Sequence, residues 1–217
     1  MDEKGGDRPS RTIRPTRFEA SGVRVKPGNY KAIMSFGDQT SETNIEVKTD
    51  PRIEVNMNSV NEVYTASKEV QDLNQSAADA VKQLVESKNI ANEYSKMLAK
   101  LDKEKHKDDI KASKDISKKI DQIIAIYLGK VDKRQGITSD PTVNVVERIG
   151  GASFYAGTRQ NGITSTERTL LKHAKDALNE AIDKTNTFFI EEWAPYKEKM
   201  EAIEISPFKE VKTINKH

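Results

Sequence analysis

The sequence predicts a mainly α chain with a small β part: a partial immunoglobulin-like β hairpin, followed by an elongated antiparallel three-helix bundle with a broken middle leg. Three observations carry this reading. Period-two alternation of apolar residues is confined to 21–53, a heptad pattern free of glycine and proline follows it, and the helical segments sum to three legs of similar length. The domain plan is a flexible leader (1–20), a partial β-sandwich (21–53), a helical bundle (54–208) and a tail (209–217).

The leader is polar, with Gly5, Gly6, Pro9 and Pro15, and carries Arg8, Arg11, Arg14 and Arg17 at a spacing of three. Such a composition favours a solvated, partly disordered segment. Pro27 and Gly28 fit the central positions of a type II turn, because proline fixes φ and glycine accepts positive φ. From there Tyr30, Ala32, Met34 and Phe36 alternate with polar residues, Ile33 excepted. After a turn at Gly37-Asp38-Gln39, Thr43, Ile45 and Val47 alternate with Glu42, Asn44, Glu46 and Lys48. Val23 and Val25 bring the expected total to about three strands, whereas a self-sufficient immunoglobulin-like sandwich has about seven. Asp50-Pro51 closes the β part, since proline cannot donate to a ladder.

Helix is expected at 59–104, 108–134, 141–157 and 165–204. Ser59 and Glu62 match a capping box at the first start. The heptad then places Val63, Val70, Ala77, Leu84, Ala91 and Leu98 at one seam position and Ala66, Leu73, Ala80, Ser87, Tyr94 and Leu101 at the other. In the second helix Ile110, Ile116, Ile120, Ile123, Ile124, Tyr127, Leu128 and Val131 share a side, with Gly136 as the stop. Asp140-Pro141 opens the third, whose apolar side is Val143, Val146, Ile149 and Phe154. Thr164 and Glu167 form a second capping box, and the last helix turns Leu171, Ala174, Leu178, Ala181, Phe188 and Phe189 inward before a kink at Pro195.

Composition narrows the function classes. Hydrophobic residues are 35% and charged residues 32% of 217, a balance that suits helices burying one stripe each. A net charge of +2 gives no global field toward nucleic acid or lipid. Without cysteine there is no disulfide, thiolate nucleophile or thiolate-bound metal. Nothing approaches the run of about 20 apolar residues that spans a bilayer, and residues 1–17 lack the apolar stretch of a signal peptide.

No catalytic or cofactor motif emerges. Phosphate-cradling glycine loops are absent, and His106, His173 and His217 are scattered without metal-ligand spacing. Acid pairs such as Asp108-Asp109 and Glu191-Glu192 belong to exposed helix faces, so the chain by itself is not expected to be an enzyme or to hold a cofactor. Two candidate interaction surfaces remain. Lys103 and Lys107 lie in a lysine-rich first helical hairpin, but interleaved acids and the scarcity of aromatics argue against nucleic acid. Phe189, Trp193 and Tyr196, with Phe188, form the densest aromatic group, either a platform for a glycan or partner protein or the packing at one end of the bundle.

The residues Pro27, Gly28 and Tyr30 of "PGNY", Asp50, Pro51 and Arg52 of "IEVKTDPRI", and the long heptad helix after them resemble the C-terminal region of bacterial exported sortilin-like or BNR-repeat β-propeller proteins. Those proteins are often labelled sialidase-like or glycosyl hydrolase. The segment "VERIGGASFYAGTRQNGITSTER" resembles the same family, with Ile163-Thr164 where Pro-Thr is usual and Ser153-Phe154-Tyr155 in place of Leu-Tyr. The resemblance implies sandwich strands and a propeller upstream of Met1, export by a signal outside this chain, and no catalytic residue here. It implies a non-catalytic spacer or docking module; the alternatives are an accessory carbohydrate-binding part built on Trp193, or a self-associating coiled-coil adaptor pairing through the 63–101 seam.

Overall fold

A computed structural model describes residues 2–13, 20–131, 142–159 and 162–204. The chain is mainly α with a small β part: strands β1 (Asp2–Lys4), β2 (Ser21–Arg24), β3 (Gly28–Phe36) and β4 (Gln39–Val47), then helices α1 (Met57–Leu101), α2 (Lys107–Leu128), α3 (Val145–Gly157), α4 (Ser165–Phe188) and α5 (Ala194–Glu201). A π turn at Phe189–Trp193 joins the last two helices.

At 1.5 Å per residue α1 is a rod of about 67 Å. It packs against α2, α3 and α4, while α4 also lies on α3 and α5 on α2. Three legs result: α1, then α2 with α3, then α4 with α5. A single core runs between them. Leu84, Ala91 and Leu98 of α1, Ile120 of α2, Ile149 and Ala152 of α3, and Ala174 and Ala181 of α4 are all fully buried. The alanines at these contacts let helix axes approach closely, and the larger side chains fill the space between them.

A polar bridge crosses the core. Tyr127 is fully buried and its hydroxyl donates to Thr185 Oγ1 at 2.8 Å, which in turn donates to the Ala181 carbonyl at 2.8 Å. Tyr127→Phe keeps the ring but strips Thr185 of its donor, so chemical denaturation should show a loss of about 1 kcal/mol.

The boundaries differ from expectation for physical reasons. Asn56, not Ser59, caps α1, its side chain accepting from Asn58 N. Glu62 does not close a capping box; it reaches across the bundle to Ile163 N at 3.2 Å and Arg168 at 3.7 Å. The second helix stops at Leu128, because Gly129 adopts φ +73° at its C-cap. Gly136, Asp140 and Pro141 lie outside the described residues. The third helix begins at Val145 with a capping box between Asn144 and Glu147, and it buries Val145, Ile149, Ala152 and Ala156. Phe154, Val143 and Val131 are exposed. Thr164 and Glu167 form their box as expected. Ahead of Pro195, the ladder widens into a π turn, which accommodates the missing N–H.

The N-terminal segment departs most. It is not wholly a leader, since Asp2–Lys4 pairs antiparallel with Ser21–Arg24. This β1–β2 ribbon is fastened to α1: Tyr64 donates to Glu3 at 2.5 Å, Lys68 pairs with Glu3 at 3.3 Å, and Gln71 Nε2 donates to the Lys4 carbonyl at 3.3 Å. Further on, Asp7 N donates to Gln75 and Arg11 to the Gly129 carbonyl. Only a glycine fits at 22, where a Cβ would sit 2.6 Å from the Glu3 and Lys4 carbonyl oxygens. Where about three strands were expected, the described residues form four, in two separate two-stranded sheets.

Candidate functional site

The β3–β4 hairpin keeps full register from Gly28↔Val47 to Phe36↔Gln39. A two-residue loop closes it, with Gly37 at φ +58° and Asp38 at negative φ, the Gly-X form that matches strand twist. Gly28 opens β3 rather than turning the chain, so the type II turn at Pro27-Gly28 is not formed. The base is pinned where Tyr30 donates its hydroxyl to the Lys26 carbonyl at 2.7 Å. Just past the end of β4, Asp50 accepts from Arg52 N at 3.0 Å and from the guanidinium at 2.6 Å. Those bonds hold the Asp50 carboxyl below its ordinary value, the side-chain bonds from Arg52 being the larger cause.

Register assigns the two faces. Tyr30, Ala32, Met34 and Phe36 share one face with their cross-strand partners Ile45, Thr43, Ser41 and Gln39; Val47 joins them at the base. The other face is polar apart from Ile33 and carries the Lys31–Glu42 pair at 3.1 Å. Exposure rises along the apolar face, from half-buried Tyr30 and Ala32 to Met34 at 72% and Phe36 at 85%. Both outer edges lack a neighbouring strand among the described residues. An apolar face together with two open edges is a surface that another sheet can extend or cover.

The other candidate residues fall elsewhere. Tyr196 is buried and donates to Ser113 Oγ at 2.9 Å, where burial pushes its hydroxyl pKa up. Phe189 and Trp193 are half-buried on the core, their rings edge-on at 6.3 Å, and Trp193 tilts against Tyr196 at 5.4 Å. The Tyr196–Ser113 bond ties α5 to α2. Lys103 and Lys107 are exposed near the α1–α2 turn and make no ion pair with described residues. The structure therefore does not bring the lysines and the aromatic rings into one site. Seam residues Val70, Ala77, Leu84, Ala91 and Leu98 are buried by the chain's own helices.

Chemistry is sparse. Among the described residues no group of three or more His, Asp or Glu is placed to hold a metal, and no helix is long and apolar enough to cross a membrane. His106 rests against Asp109 at 3.3 Å, and Asp109 pairs with Lys199 at 2.8 Å; His217 lies outside the described residues. Among the described residues Glu167 is the one strongly perturbed carboxyl, and it is fully buried. It accepts from Thr164 N at 2.8 Å and from the Arg159 guanidinium at 2.9 and 2.6 Å. The Thr164 hydroxyl and then Arg159 pull its pKa down to about 2. Sequence reading found the Thr164–Glu167 box but missed Arg159, which stands in a connecting loop beyond the reach of helical periodicity.

Family models, curated proteins and solved structures were compared with the chain. None matches.

Proposed function

We propose that the chain is a non-catalytic spacer and docking module, a helical rod whose hairpin completes the β-sheet of a neighbouring domain. The observation that carries this reading is the exposure of Met34 and Phe36 on a strand pair with two open edges. A two-stranded ribbon is marginal in water unless its apolar face is covered. The occupant we assign is a β-sheet with an apolar inner face, because backbone edges as well as side chains await partners. The PGNY and Asp50-Pro51-Arg52 resemblance supports a sandwich beside an exported propeller as that neighbour; on this reading the parent protein carries any catalytic, glycan-binding role.

Hydrogen exchange tests it. In the chain alone, amides of 31–45 should exchange at least about a hundredfold faster than those in the middle of α1, as low local stability dictates. Met34→Ser with Phe36→Ser should leave the melting of the helical rod unchanged, and light scattering should give a monomer at every concentration. Hairpin amides as protected as the α1 core would overturn the proposal. So would a concentration-dependent dimer that protects them, which would assign the face to a second copy.

A further inference from the structure

We propose that the cleft between the β1–β2 ribbon and the N-terminal half of α1 binds an amphiphilic anion, a small molecule with an apolar chain and a carboxylate or phosphate head. The cleft has a volume of about 530 Å³, within the range of about 300–1,000 Å³ typical of small-molecule sites. It lies apart from the outer part of the hairpin and does not depend on what covers Met34 and Phe36.

Part of its wall is an apolar strip. Val23 and Val25 face Val60 and Val63 of α1 across it, all four only half-buried. Its charged lining is one-sided. Arg8, Arg24, Lys26 and Arg159 contribute, and no carboxylate does among the described residues, in a chain with 36 basic and 34 acidic side chains. Arg159 is shared with Glu167. Lys26 has neutral company, donating to Asn61 at 3.1 Å and lying 4.7 Å over the Tyr64 ring. The nearby acid Glu3 is engaged by Tyr64 and Lys68. Arg8 and Arg24 have no hydrogen-bond or ion-pair partner among the described residues, so they supply the uncompensated positive charge.

A third observation sharpens the ligand class. Gln71 lines the same cleft, and its Oε1 is a buried side-chain atom without a hydrogen-bond partner, while its Nε2 is committed to Lys4. A buried acceptor left empty costs free energy, which a hydroxyl or amide N–H on a ligand would recover. The apolar strip and the cationic rim together fit an acyl-type chain bearing an anionic head, and the vacant acceptor favours one that also carries a hydroxyl or amide N–H beside that head. A polyanion would gain nothing from the valine walls.

Isothermal titration of the full chain with monomeric dodecanoate and dodecyl phosphate should show saturable one-to-one binding. Inorganic phosphate alone and dodecyltrimethylammonium should bind at least about tenfold more weakly. Arg8→Glu with Arg24→Glu should lower dodecanoate affinity by about tenfold or more while leaving the melting temperature unchanged, since neither arginine side chain bonds to a described residue. Bound dodecanoate should slow amide exchange in 21–26 and 60–74. Met34→Ser with Phe36→Ser should bind it as the unaltered chain does, which separates this cleft from the hairpin surface. Equal binding of the anionic and cationic probes would overturn the proposal, as would loss of binding in the Met34/Phe36 variant. Cosedimentation with phosphatidylglycerol vesicles without binding of either monomeric anion would also overturn it, assigning the cations to a membrane surface.

Discussion

Leu84→Ala is expected to lower the free energy of unfolding by about 2–5 kcal/mol, measured by urea denaturation. Leu84 lies near the middle of α1, has no exposed surface and belongs to the core that all three legs share. Truncation removes the transfer free energy of its buried carbons and leaves a void. The void persists to the extent that the surrounding helices relax only partially around it. Ile90 provides the control, being 45% exposed on the same helix. Ile90→Ala should cost no more than about 0.5 kcal/mol. If both substitutions cost the same, α1 is not held by the shared core and the three-leg architecture fails.

Glu167→Gln is expected to give the largest change in acid sensitivity. The Glu167 carboxyl has its pKa lowered from 4.5 to about 2, so the folded state favours the ionised form more strongly than the unfolded chain does. Its contribution is complete above the ordinary carboxylate range and disappears as pH falls through about 2. Thermal melts across that interval should therefore fall steeply for the native chain and more gently for Glu167→Gln. At neutral pH the same variant should melt lower, because the amide cannot balance Arg159 and one of its two ends cannot accept from Thr164. A smaller slope should persist in the variant. Glu3 with Tyr64, Asp109 with Lys199 and Glu180 with Lys184 are shifted in the same direction, each by the hydrogen bond to its named partner first. Identical acid limbs for both proteins would remove Glu167 from the account.

Local rules made much of the fold legible. The heptad over Val70, Ala77, Leu84, Ala91 and Leu98 marks the buried stripe of α1, and alternation through Tyr30–Phe36 gives the strand and its apolar face. The Thr164 box is visible because its two residues are three apart. What stayed hidden depends on distant partners. Glu62 matches a cap locally, yet it bonds a residue 101 positions away. β1 is Asp-Glu-Lys, with no apolar period, and it pairs because Gly22 permits backbone approach and α1 supplies Tyr64, Lys68 and Gln71. The cleft was equally unreadable, since Arg8, Arg24 and the α1 valines come from three segments that only the folded chain joins.

The interrupted middle leg has a mechanical consequence. Between Leu128 and Val145 the described residues are not helical, whereas α1 runs unbroken past this gap. A beam with one discontinuous member bends most readily opposite the discontinuity, so load arriving from the hairpin should become curvature near the centre before it separates either end. In the proposed spacer role, the rod would be better suited to holding distance than to holding angle.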